Sequence, residues 1–454
     1  MSELKKQVTV FEFDHLGFGE KAQASPRIKA ISEKAYGYLK RICLCDETES
    51  RFLRLKQLGG CEVLQVQNYA GVIFTPDQTQ IEILPKVGKQ DKDNQESQKQ
   101  ARNSLLMMLK TLKGFRHIET HQASIASQKM PLLEVFITQF LQSVNTLVKR
   151  GLRSDYVAQQ DNLTFLKGKL NVGKQLRHNF INKHKFQVEY DAFLQDRPAN
   201  RLMHSALVAI NSYTRSVKNQ KLLRELLFVF SDIPQSCDYK VDFTRLKIDR
   251  GMNYYQRPLD WSRLILDGFS PQSMQGKNHA PSLLFPMEAV FESYVAKILR
   301  RQVAEGCHLK EQVQSKKLVR HNEHQWFRLK PDLVIEHQGE IKVVLDTKWK
   351  VLDQNKNNGT DKYGLSQADF YQMFAYGQKY LHGKGDMFLL YPQSMFFSNA
   401  IASSFNFNIE VEDKDALKLW VVPVNLSVDI NIKDDERIHW PHQYLQSMPE
   451  VINA

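Results

Sequence analysis

A multidomain α/β (α+β) chain is expected, and three observations along its 454 residues point that way. Residues 1 to about 87 carry short apolar runs of strand character, broken by turn residues. From Ser104 onward the apolar spacing becomes helical. After residue 281 a helix is followed by two apolar strands and a further helix. At ~100–200 residues per domain the length allows two or three domains. We expect divisions at 1–150 (β-rich, then helical), 151–280 (basic, mainly helical) and 281–454.

In the first region, Tyr69-Ala70-Gly71-Val72-Ile73-Phe74 and Gln80-Ile81-Glu82-Ile83-Leu84 alternate around Thr75-Pro76-Asp77-Gln78, which reads as a hairpin. Residues 88–104 offer almost nothing to bury and suit a flexible loop or a solvated helix start. Helical spacing then covers Leu105 to Leu112, Leu132 to Val148 and Asn200 to Tyr213, with Pro198 suited to a helix start. Residues 251–281, rich in Gly, Pro, Ser and Asn, read as the approach to the last domain. That domain opens with a helix whose apolar stripe is 287, 290, 291, 295, 298 and 299, and on which Glu288 and Glu292 share a face. Strands over Leu329 to Ile335 and Ile341 to Trp349 follow, joined at His337-Gln338-Gly339-Glu340, and a helix over Leu365 to Leu381 comes next.

Composition bounds the function. With 42% hydrophobic and 25% charged residues the chain is globular. No run approaches the ~18 apolar residues of a membrane span, and the start, Met-Ser-Glu-Leu-Lys-Lys, lacks a secretory apolar segment, so no membrane role and a cytoplasmic location are expected. Cys43, Cys45, Cys61, Cys237 and Cys307 form no Cys-x-x-Cys pair, which argues against a disulfide framework or zinc ribbon. The net charge of +12 favours a polyanionic partner. Between Arg150 and Asp260 there are 19 Lys and Arg against 11 Asp and Glu, with Lys167, Lys169, Lys174 and Arg177 in the densest stretch. A phosphate-contacting face and a merely solvated surface both fit that composition.

The chemistry concentrates on the two late strands. Asp332 opens the first, and Asp346-Thr347-Lys348 ends the second, where the period of two sends Asp346 and Lys348 to one side. Two carboxylates suit a hard ion such as Mg²⁺, and a lysine beside them can orient water or stabilise charge on a phosphoryl transition state. Gln372 and Tyr376 share a face of the following helix. A strand-end turn for Asp332, a solvated Lys348 and a core Tyr376 are the bland alternatives.

The order helix, strand, strand, helix with these residues resembles the PD-(D/E)xK nuclease superfamily, and Gln372-x-x-x-Tyr376 resembles its RecB-type members. Taken with Tyr69-Ala-Gly-Val-Ile, Ile81-Glu-Ile-Leu-Pro-Lys86, Leu166-Lys-Gly-Lys-Leu-Asn-Val, Glu189-Tyr-Asp191, Asn200-Arg201-Leu202, Phe291-Glu292 and Leu345-Asp-Thr-Lys-Trp-Lys350, the chain resembles the McrC family. That family supplies the nuclease subunit of McrBC modification-dependent restriction systems.

The resemblance implies a metal-dependent endonuclease that cuts methylcytosine-containing double-stranded DNA. It implies Asp332, Asp346 and Glu292 as Mg²⁺ ligands, with Glu288 competing for the helix position, and Lys348 as the residue that positions or activates water. Gln372 and Tyr376 become supporting or DNA-backbone residues. A hexameric McrB-like AAA+ GTPase is the implied partner, docked through the amino-terminal domain, which stimulates GTP hydrolysis. GTP belongs to that partner, since no Gly-x-x-x-x-Gly-Lys-Ser/Thr loop occurs here. A RecB-like repair nuclease and a non-catalytic DNA-binding assembly subunit are the rival readings.

Overall fold

The computed structural model describes residues 7–45, 52–88, 95–112, 130–246, 250–267, 282–407, 416–427, 432–433, 436–442, 444 and 451. It is mixed α/β, and it divides into two compact units, Met1–Lys129 with Asn278–Ala454, and Met130–Lys277. The two ends of the chain therefore share a unit, whereas the sequence suggested separate domains at 1–150 and 281–454.

Strand pairing explains that union. In the first unit Gln7–Phe11, Gln80–Leu84, Tyr69–Phe74 and Ser282–Pro286 form one sheet in that order, so the late strand closes a sheet begun at the amino terminus. Gly71 makes the closure possible. Its φ is +142°, and a Cβ there would stand 1.8 Å from the Leu283 carbonyl oxygen. The expected hairpin over Tyr69 to Leu84 is present, but its alternation does not separate inside from outside, because every residue of both strands is buried. Buried Glu82 is satisfied by Arg102, whose Nε and Nη2 donate to it at 2.8 and 2.7 Å. Arg102 lies on the helix Gln95–Leu109, which starts inside the polar run; residues 89–94 of that run lie outside the described residues.

A second small sheet orders Ile28–Ala30, His15–Gly17, Cys61–Val66 and Leu53–Leu58. The largest sheet orders Cys307–Glu311, Leu333–His337, Glu340–Thr347, Gly385–Pro392, Leu417–Val424 and Phe405–Asn406. Its Leu333–His337 and Glu340–Thr347 strands are antiparallel, and the tight turn at Gln338 and Gly339 has φ of +53° and +84°, the geometry of a twisted two-residue hairpin loop. The helix Gln367–Tyr380 packs Met373, Tyr376 and Tyr380 onto this sheet among Val334, Val344, Leu389 and Leu419.

The second unit gathers the helices Leu132–Arg150, Pro198–Ile210, Val217–Val229 and Asn253–Leu266. Pro198 opens its helix as expected. The Asn253–Leu266 helix was not anticipated; the Gly, Pro, Ser and Asn content of 251–281 suggested the approach to the last domain, yet Tyr255, Leu259 and Trp261 are buried on a helix there. Residues 268–281 lie outside the described residues. The middle region is also not helical throughout, because Asp155–Leu163, Phe186–Leu194 and Lys169–Leu170 pair as an antiparallel sheet. Gly168 of the Leu166-Lys-Gly-Lys motif adopts φ +70°, and a Cβ there would meet the Glu189 carbonyl oxygen at 2.5 Å. Among the described residues no helix is long and apolar enough to cross a membrane.

Candidate active site

Two neighbouring strands bring the acidic residues together. Asp332 immediately precedes Leu333–His337, where its backbone carbonyl accepts a hydrogen bond from Gln312 N at 2.8 Å. Its Oδ2 accepts from Thr347 N at 2.8 Å and Thr347 Oγ1 at 2.7 Å, which ties it to the end of Glu340–Thr347. Asp346 lies on that strand, 1% exposed. Its Oδ2 stands 2.6 Å from Lys348 Nζ in ion-pair rather than hydrogen-bond geometry, so this buried oxygen has no aligned donor. Burial, and then the negative charge of Asp332, push the Asp346 carboxyl up to about 7 against the opposing pull of Lys348.

Lys348 is held by a chain of hydrogen bonds. Its Nζ donates to Gln372 Oε1 at 2.9 Å, Gln372 Nε2 donates to Tyr376 OH at 2.7 Å, and Tyr376 OH donates to the Lys330 carbonyl at 2.9 Å. Burial lowers the ammonium's affinity for its proton, but Asp346, Asp369 and Asp332 outweigh it and the net shift is upward. Asp369 escaped the sequence reading. It sits one turn before Gln372 on the same helix, its Oδ1 3.7 Å from Lys348 Nζ, while Tyr391 OH donates to its Oδ2 at 3.3 Å. Its spacing of three from Gln372 was the available signal.

The two helix glutamates part company. Burial, and then the negative charge of Asp332, raise the Glu292 carboxyl above the usual range, and it accepts from Gln312 Nε2 at 2.9 Å. Exposed Glu288 instead accepts from Asn68 Nδ2 at 3.0 Å, away from that pair.

Trp349, next to Lys348, anchors the site to the amino-terminal sheet. Its ring N–H donates to both Glu12 oxygens at 3.0 Å, its carbonyl accepts from Lys86 Nζ at 2.7 Å, and its ring packs on Phe291, centroids 5.4 Å apart. Phe291 neighbours Glu292, so one indole joins both halves of the site. Burial raises the Glu12 carboxyl from 4.5 to about 7, Lys86 opposing. The folded chain keeps that proton between about 4.5 and 7 while the unfolded chain releases it, so stability falls as pH rises through this window and then levels, by on the order of 3 kcal/mol. Melting temperatures from pH 4.5 to 8 should show this slope flattened in Glu12→Gln; an equal slope in that variant would refute the assignment.

The carboxylate oxygens of Asp332 and of buried Asp346 are the donors that a hard divalent ion takes. Among the described residues no group of three or more His, Cys, Asp or Glu is gathered tightly enough to hold a metal, so the fit rests on Asp332 and Asp346, and Mg²⁺ is commonly bound by one or two carboxylates plus water.

The expected basic residues lie in the other unit. Lys167 Nζ stands 3.8 Å from the centroid of the Tyr190 ring, Lys169 pairs in register with Glu189, Lys174 donates to Gln160, and Arg177 lies in the last turn of the short helix Val172–His178; all four are exposed. None belongs to the unit that carries Asp332, Asp346 and Lys348.

A family model described as McrBC 5-methylcytosine restriction system component matches residues 64–392. The chain belongs to this McrBC family. The matched span runs from the Tyr69 strand through Gln372 and Tyr376, and so takes in every residue just described except Glu12. Among solved structures, a chain of a refined half-complex from a tetradecameric assembly of Thermococcus gammatolerans McrB AAA+ hexamers with bound McrC is 19% identical, with 95% of this chain and 98% of that chain covered and a TM-score of 0.65. A chain of the Thermococcus gammatolerans McrBC complex is 21% identical over 65% of this chain and 87% of that chain, with a TM-score of 0.44. The first of these likenesses shows a shared fold. No curated protein matches the chain.

Proposed function

We propose that the chain is the DNA-cleaving subunit of a GTP-dependent restriction complex directed at 5-methylcytosine-containing DNA. The observation that carries this is the convergence of Asp332, Asp346 and Lys348 at the ends of two adjacent strands in a McrBC family member. Asp332 and Asp346 would hold Mg²⁺, with Glu292 reaching it directly or through water, and the ion would supply charge neutralisation at the scissile phosphate. Lys348 orients the attacking water and stabilises charge on the phosphate oxygens. Three carboxylates favour its protonated form, so it serves as a fixed cation rather than a base. Tyr376 gives its own proton to the Lys330 carbonyl, accepts from the Gln372 amide, and so turns the Gln372 carbonyl toward Lys348.

The partner is a hexameric McrB-like AAA+ GTPase, as McrC is bound to McrB AAA+ hexamers in the Thermococcus gammatolerans assembly. This chain stimulates that GTPase, and residues 1–150 are one location for docking. A second reading places docking on the loops that flank the small sheet of the other unit, where Phe165, Leu166, Phe180 and Ile181 are all exposed, the last two at 75% and 89%. Cutting of a 5-methylcytosine plasmid by the full chain with partner, GTP and Mg²⁺ tests the proposal: breaks are expected with Mg²⁺ and none with EDTA, and cutting that survives EDTA would exclude the metal.

A further inference from the structure

Between the first strand of the large sheet and Asp332 the chain leaves the core as a two-stranded ribbon, Lys317–His321 paired with His324–Arg328. Every residue of its second strand is exposed, so packing in the unit does not account for its side chains. Residues 315–330 hold five Lys and Arg against one Glu. Lys317 and Arg328 face each other directly across the ribbon, an arrangement in which like charges repel. Among the described residues neither is ion-paired; Arg328 donates to the neutral Gln314 side chain at 2.8 Å. Beside them Trp326 is 49% and Phe327 68% exposed, and Phe327 is held at φ +57°, a costly backbone for a bulky residue.

We propose that this ribbon binds double-stranded DNA beside the scissile phosphate, Lys317 and Arg328 contacting backbone phosphates and Trp326 lying against the groove. The inference rests on the nuclease reading for its choice of occupant and adds the surface that holds the substrate. An anion between the two cations turns their repulsion into attraction. A two-stranded ribbon is also narrow enough for the major groove. The ribbon's base is fixed to the catalytic core: Leu329 is buried, its N–H donates to the Lys316 carbonyl at 3.0 Å, and Tyr380 OH is 3.2 Å from the carbonyls of Val313 and Leu329. Three residues lie between Arg328 and Asp332, so their Cα atoms are at most about 14 Å apart and the ribbon's cations stay within a few base-pair steps of the acidic pair.

The test is equilibrium binding of the full chain to a fluorescent DNA duplex in EDTA, which keeps binding apart from cutting, over a series of salt concentrations. Lys317→Gln with Arg328→Gln should weaken binding about tenfold or more and reduce the slope of log K against log salt by about two. Trp326→Phe should abolish a DNA-induced change in tryptophan fluorescence that the wild type shows. Because Arg328 and Trp326 are exposed and Lys317 is only half-buried with no ion pair among the described residues, melting temperatures should match the wild type; were the double variant to melt early, the Trp326→Phe signal alone would decide. Unchanged affinity and slope, or variants that alter only the oligomeric mass, would overturn the proposal and leave the nuclease reading intact. Ribbon-dependent binding by a chain whose complex never cuts would do the reverse.

Discussion

Replacing Lys348 with Met is expected to lower DNA cleavage by the assembled complex about 10³-fold while the fold persists. Lys348 is the cation on which Asp346, Asp369 and Gln372 converge, and it directly follows a strand whose interior is buried independently of it. Binding of Mg²⁺, followed calorimetrically, should be largely retained, since the variant keeps both aspartates. Gln372→Leu should act in the same direction but more weakly, because it leaves the ammonium present and only frees its orientation. A Lys348→Met complex that cuts at the wild-type rate would remove this residue from the mechanism.

The second large effect concerns docking on the partner GTPase. Deleting residues 1–150 is not a clean test, because it strips Gln7–Phe11, Tyr69–Phe74 and Gln80–Leu84 from the sheet that Ser282–Pro286 completes, and that strand leads directly into the Glu292 helix. Surface substitutions avoid the problem. If docking uses the loops beside the small sheet, Phe180→Asp with Ile181→Asp, which places charge on two of the most exposed apolar side chains among the described residues, should reduce stimulation of GTP turnover at least tenfold, since apolar side chains at the centre of an interface are worth ~2 kcal/mol or more each. Phe18→Asp, on the amino-terminal surface at 41% exposure, is the matching probe of the other location. Normal stimulation by the Phe180 and Ile181 variant, with loss in Phe18→Asp, would assign docking to the amino-terminal region.

The acidic pair and Lys348 were legible in the sequence because strand periodicity alone sends Asp346 and Lys348 to one side, and a 14-residue interval suits a tight hairpin. Gln372 and Tyr376 were legible for the equivalent helical reason. Asp369 was not, since one acid near a helix start is usual on a solvated face. The grip of Glu12 and Lys86 on Trp349 joins positions hundreds of residues apart and leaves no periodic trace. The 155–194 sheet did leave a signal, the alternation of Phe186, Val188, Tyr190 and Ala192 with Gln187, Glu189 and Asp191, but only Val188 of that strand is buried and the charge of the stretch masks the period. Glu82 misled in the opposite direction, because its burial depends on an arginine from a different element. Sequence alone put Glu292 first with Glu288 competing, since both occupy one helix face; in the fold Glu292 feels the charge of Asp332 while Glu288 accepts from Asn68.

The most direct test of the central claim is to measure, in one reaction, plasmid cutting and GTP turnover by the full chain and its partner on 5-methylcytosine DNA with Mg²⁺, comparing wild type with Asp346→Ala at equal occupancy. The expected result is loss of double-strand breaks in the variant with GTP hydrolysis still stimulated to the wild-type level. Wild-type cutting by Asp346→Ala would contradict the account.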